Sequence, residues 1–193
     1  MKALFMIAGA ALAIASPAAA QELVTNGGFE TGTFAGFMQS GNTGFTGVAA
    51  GEGTAGSFGA FFGPIGSVGS ITQSLATTAG QTYSISFDLQ NDGGSPNFYE
   101  VLFGGTSLFS ATNASGFGYT NFSTNAVTSG ASTNLTFSFR QDPAFFRLDN
   151  VSVTAVTGAV PEPATWAMML IGFGGIGLSL RRRRKFTAAP QFA

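Results

Sequence analysis

Between residues 21 and 159 hydrophobic and polar side chains alternate with a period of two. Tyr83, Ile85, Phe87 and Leu89 interleave with Thr82, Ser84, Ser86 and Asp88, and Leu135, Phe137 and Phe139 with Thr136, Ser138 and Arg140. Such alternation predicts strands with one face on a core and the other in water. Turn residues interrupt it at Asn91-Asp92-Gly93-Gly94-Ser95-Pro96, Gly104-Gly105 and Ser129-Gly130. No stretch of helical period competes, so short strands at this spacing predict an all-β antiparallel sandwich or barrel. Near the end the pattern slips: Phe146 and Leu148 are even, Val151 and Val153 odd. One extra residue around Asp149-Asn150, a bulge, accounts for the slip. Residues 41–69 hold ten glycines in 29 positions. Their irregular spacing excludes collagen. One or two glycine-broken strands with long loops are expected there; the alternative is a low-complexity, partly disordered segment.

The two ends break the pattern. Met1-Lys2, an apolar run from Ala3 to Ala15, and Ser16-Pro17-Ala18-Ala19-Ala20 predict a signal peptide, residues 1–20. The run is short for a membrane anchor, which needs about 20 apolar residues. At the other end Ala164 to Leu180 carries no charge and is followed by Arg181, Arg182, Arg183, Arg184 and Lys185. As a helix it would be about 25 Å long, at the short end of what crosses a bilayer. Trp166 stands where an interfacial aromatic belongs, and the cations predict a cytoplasmic end. The alternative is a buried helix with a solvated basic tail. The expected organisation is a signal peptide at 1–20, a β-sandwich at 21–158, a C-terminal signal at 159–185 with its transmembrane helix at 164–180, and a tail at 186–193. Gly172 to Gly177 also spells G-x-G-x-x-G, but no acidic residue follows, so the dinucleotide reading fails.

Composition narrows the chemistry. The 193 residues include neither cysteine nor histidine, which removes disulfides, thiol nucleophiles, Ser-His-Asp triads and imidazole metal ligands. Residues 21–160 carry two arginines, Arg140 and Arg147, against eight carboxylates. An acidic body of this kind does not bind nucleic acid, which needs clustered cations. Carboxylate catalysis remains formally open, with Asp88, Asp92 and Glu100 as the one acidic cluster. So does calcium held by oxygen ligands. The body has no tryptophan, and Tyr99 and Tyr119 are the best candidates for exposed aromatics, although edge-of-core positions suit both.

Val160-Pro161-Glu162-Pro163, Trp166-Ala167-Met168-Met169, a glycine-rich helix and the terminal arginine cluster resemble the PEP-CTERM sorting signal, in its PEPxxWAMM variant. The tail Phe186 to Ala193 is longer than usual for that signal. The resemblance implies a Gram-negative exopolysaccharide producer and an exported, inner-membrane-anchored precursor. It also implies processing by an exosortase-type protease, with Pro161, Glu162, Pro163, Trp166 and Arg181 to Arg184 as the recognised elements. The cell surface or extracellular matrix, often of a biofilm, is then the destination. Within the body, Leu23-Val24-Thr25-Asn26-Gly27-Gly28-Phe29-Glu30-Thr31-Gly32 and Arg147-Leu148-Asp149-Asn150-Val151-Ser152-Val153 resemble the first and last strands of galactose-binding-like jelly rolls. That group includes many carbohydrate-binding modules. The resemblance implies terminal strands brought together and a structural calcium ion on Glu30 and Asp149, with backbone carbonyls completing its shell. The alternative pairs Asp149 with Arg147 or Arg140 and leaves Glu30 a solvated turn residue. The expected function is non-catalytic, binding exopolysaccharide or matrix partners. A glycan-cleaving enzyme and a purely structural surface protein are the alternatives. In a bacterial chain the sequons at Asn113, Asn121, Asn134 and Asn150 read as ordinary polar positions.

Overall fold

The computed structural model describes residues 20–142, 144–156 and 163–183. Ala20–Val156 forms one compact unit, and the C-terminal segment is separate from it.

The body is an antiparallel two-sheet sandwich of ten strands. One sheet orders β1 (Met38–Gly41), β4 (Gly69–Ala76), β9 (Ser132–Gln141), β6 (Asn97–Phe103) and β7 (Thr106–Thr112). The other orders β2 (Thr46–Ala50), β3 (Phe58–Phe62), β10 (Phe146–Ala155), β5 (Thr82–Asn91) and β8 (Phe117–Val127). The alternation read in the sequence is the alternation of burial: β5 buries Tyr83, Ile85, Phe87, Leu89 and Asn91, and β9 buries Leu135, Phe137 and Phe139. Phenylalanines bridge the layers. Phe62 stacks on Phe139 at 4.3 Å between centroids, and Phe87 meets Phe137 edge-on at 5.2 Å, geometries that aromatic quadrupoles favour.

Residues 41–69 supply two strands, β2 and β3, with loops between them. The slip near Asp149 is a bulge, because the β10–β5 register shifts between Asp149 and Ser152, with Asn150 at a φ of 51°. The first motif differs from expectation. It does reach β10, through the bridge Glu22↔Thr154 and the hydrogen bonds from Leu23 N to Val153 O and Val151 N to Gly27 O, but it is no strand. Positive φ at Asn26 and Phe29 turns it away after a few residues.

The signal-peptide reading, residues 1–20, lies outside the described residues but for Ala20, as do Pro161, Glu162 and Arg184. A helix, α1 (Pro163–Arg183), covers the apolar run. No helix among the described residues is long and apolar enough to cross a membrane. Four glycines, Gly172, Gly174, Gly175 and Gly177, dilute the run.

Candidate functional site

The outer face of β3 and β10 carries the chemistry. Ala60 and Phe62 of β3 face the core, so Phe61 faces outward. Its cross-strand neighbour on β2 is Gly47, where a Cβ would stand 2.6 Å from Phe61 Cζ. The ring therefore lies across the glycine, a pairing that covers a bare edge position. Gly63 does the same for Phe145: a Cβ there would meet its Cε1 at 2.7 Å. The two half-buried rings meet edge-on, 5.7 Å apart at 83°. Arg147 is paired with Phe61 in the β10–β3 register. Its Nε donates to the Glu52 carboxylate and its Nη1 to that of Asp92. Glu52, Phe61, Phe145 and Arg147 line a cleft of about 140 Å³.

Electrostatically the cleft is a guanidinium between two carboxylates. Burial alone would raise the Asp92 carboxyl, but hydrogen bonds from Arg147 and Gln90 and the guanidinium charge hold it below the usual range. The hydrogen bond to Asp92 in turn raises Arg147. Two of the five guanidinium N–H groups are spent on these carboxylates, and the rest remain as donors beside carboxylate acceptors. An apolar wall with donors and acceptors at its rim suits a sugar ring, whose faces are C–H and whose edges are hydroxyl.

A loop, residues 51–57, closes one side. It passes over Gly59, where a Cβ would collide with the Glu52 backbone at 2.4 Å. Two carboxylates from opposite ends of the body hold it. Glu30 accepts from Ser57 N at 2.9 and 3.0 Å and from Phe58 N at 3.1 Å. Asp149 is fully buried. Its Oδ2 accepts from Thr54 N (2.7 Å), Ala55 N (3.0 Å) and Thr54 Oγ1 (3.1 Å), and its Oδ1 from Asn150 N (2.8 Å). Tyr119 donates its hydroxyl to Glu52 O. Burial first, then the charges of Asp149, Glu52 and Asp88, push that phenol well above its ordinary pKa, against the pull of Arg147.

Neither arginine pairs with Asp149. Arg140 holds Asp142 at 2.8 Å, and Arg147 holds Glu52 and Asp92. The acids at the loop are instead crowded: Thr54 Oγ1 lies 3.0 Å from Asp88 Oδ2 and 3.1 Å from Asp149 Oδ2, and its one proton serves one of them at a time. Glu30 and Asp149 both border Gly28: the point a Cβ there would occupy is 3.8 Å from Asp149 Oδ1 and from Glu30 Cγ, while the two carboxylates hold different amides of the loop. Asp149 Oδ1 and Glu30 Oε2 each carry one donor and keep a lone pair. By charge and donor type these residues fit a calcium ion. Among the described residues no three His, Cys, Asp or Glu side chains form a metal-holding group, so carbonyl oxygens would have to complete any shell.

The other sequence candidates separate. Asp88 and Asp92 belong to the β5 side of one sheet, whereas Glu100 is on β6 of the other. Tyr99 is buried and Tyr119 lies under the loop, so neither is an exposed platform. Phe61 and Phe145 were hidden among 21 phenylalanines. The signal for them is doubling: Phe61-Phe62 and Phe145-Phe146 break the period of two, which forces one ring of each pair outward. A larger hollow, about 510 Å³, lies at the β6–β7 and β8–β9 turns. It has no charged side chain, and its one aromatic, Phe103, is buried.

Solved structures with this fold include TmCBM61, determined with β-1,4-galactotriose, at a TM-score of 0.57 and 17% identity over 70% of this chain and 99% of that one. The CBM22-1 xylan-binding domain of Paenibacillus barcinonensis Xyn10C is similar at 0.54 and 18% identity, over 75% and 100%. The enzymatically active domain of tailspike protein 4 from bacteriophage CBA120 is similar at 0.55 and 13%, over 70% of this chain and 21% of that one. No curated protein matches the chain. At these identities the likeness establishes the fold. The chain joins a body with the jelly-roll fold of carbohydrate-binding modules to a PEP-CTERM protein-sorting motif at residues 159–184.

Proposed function

We propose that this chain is an exported, exosortase-sorted precursor whose body is a non-catalytic glycan-binding module of the cell surface or extracellular matrix. The observation that carries it is the Phe61–Phe145 pair set beside the Glu52–Arg147–Asp92 triplet. The sorting motif supports export and removal of the C-terminal segment by an exosortase-type protease. The glycan-cleaving reading needs two carboxylates across one cleft. Glu100 on the other sheet and Asp92 bound to Arg147 speak for a binding role instead. A structural calcium on Glu30 and Asp149 belongs to the same reading, because it would neutralise the acids that hold the loop.

A glycan array probed with residues 20–156, with calcium and again with chelator, tests this directly. Binding to a neutral polysaccharide is expected, weakened about tenfold by Phe61→Ala or Phe145→Ala, with chelator lowering the melting temperature. A blank array on a folded sample overturns the glycan reading. An unchanged melting temperature overturns the calcium.

A further inference from the structure

Four strands end the two sheets, and three of them are blunted. β1 and β2 are four and five residues long, too short to template a partner. β7 is interrupted by a bulge, since its register with β6 shifts between Val101 and Leu102. β8 shares only the bulge, and only near its start, where its register with β5 shifts between Leu89 and Asn91. Its eleven residues, Phe117–Val127, include no charged residue and no proline. From Thr120 to Val127 its register with β5 is unbroken. Among the described residues it has a neighbour on one side only. An edge this long and regular presents unpaired N–H and C=O groups, and natural sheets commonly guard such edges with lysine, proline or a bulge.

We infer that β8 is a self-association edge, pairing antiparallel with β8 of a second copy to fuse two five-stranded sheets into one of ten. The occupant is a second copy because the edge is complementary to itself. With no charge on the strand, a two-fold axis brings no like charges together, and one patch serves both partners. Facing residues must point to the same side of the joined sheet, so odd positions meet odd and even meet even. A register centred on Ser123 satisfies this. It sets Asn121 against Asn125 of the second copy on the wet face, with Thr120 against Ala126 on the core side. Asn, Ser and Thr pairs of this kind add neutral cross-strand hydrogen bonds. The inference does not rest on the glycan reading: Tyr119, before the paired stretch, is the β8 residue that holds the cleft's loop, and the sheet order puts β8 three strands from Phe61.

Light scattering on residues 20–156, the compact unit that holds the whole core, and on the full chain in detergent tests it. A concentration-dependent dimer is expected between roughly 1 μM and 1 mM. Ser123→Lys with Asn125→Lys places like charges across the two-fold axis. This variant should run as a monomer with unchanged circular dichroism and unchanged glycan binding. Both positions are exposed, so folding should survive; if the pair fails to fold, Ser123→Lys alone replaces it. Hydrogen exchange supplies a second readout: outward amides of Thr120–Val127 should be protected when concentrated and exposed on dilution. A monomer throughout the range, or a dimer untouched by the charged variant, overturns the inference.

Discussion

At Gly47 and Gly63 the missing side chain does the positioning, because each aromatic ring occupies the space a Cβ would need. Gly47→Ala therefore has to lift Phe61 or bend β2. It should cost about 1–3 kcal/mol in urea denaturation and weaken glycan binding by displacing the ring. Gly118→Ala is the control, since a Cβ there meets nothing within 4 Å; equal losses at both positions would refute the ring-on-glycine account. Residue-scale legibility was uneven for a physical reason. Phenylalanine is the commonest core filler in this chain, and sequence alone does not say which ring the backbone turns outward. The two Phe-Phe doublets did contain that information, and the tyrosines take the edge-of-core positions that suited them.

Among the elements, the loop at 51–57 is held chiefly by side chains from outside it. Its amides turn toward Glu30 and Asp149, which arrive from the first and last segments of the body. Asp149→Asn puts an NH₂ or a weaker acceptor against donors that expect a carboxylate. A loss on the order of 3 kcal/mol is expected, read by chemical denaturation, together with exposure of Tyr119 to solvent, read by its ultraviolet absorbance. A variant as stable as the parent would mean that the buried acid is not what holds the loop. The bulge that aims Asp149 was visible in the sequence, because a period of two cannot change parity without an added residue. The loop's path was not visible. Glycine-rich spacing says where a chain can turn, not which carboxylates it will find.

For the whole molecule, acid sensitivity follows from carboxyls held low. The hydrogen bond from Arg140, above all, brings Asp142 down to about 2. Burial would raise Asp88, but hydrogen bonds from Asn150, Asn121 and Thr54 bring it below its usual value, and Asp92 behaves likewise. A depressed folded pKa means that the stabilisation is present above the unfolded value of about 4 and is lost as pH falls through the folded one. The melting temperature should therefore be level from neutral pH down to about pH 4 and then decline toward pH 2. Tyr119, raised in the folded state, adds an alkaline loss beginning near the unfolded phenol value of about 10. Calorimetry across this range decides the matter, and a melting temperature that rose below pH 4 would contradict the assigned pairs. The two-sheet architecture was legible because alternation and turn residues agree along most of the body. The first segment was misread as a strand because positive φ at Asn26 and Phe29 leaves no mark in the pattern of apolar residues.

The position of β10 has a mechanical consequence. In the sequence β10 is the strand that precedes the sorting motif, and it lies in the middle of its sheet, with β3 on one side and β5 on the other. A pull transmitted along the tether would load it lengthwise, straining two ladders of hydrogen bonds together. An edge strand in its place would peel away one bond at a time. If the proposed surface location holds, a body hung by its central strand would resist shear from moving fluid or from a bound matrix, and would do so without the disulfides that its sequence lacks.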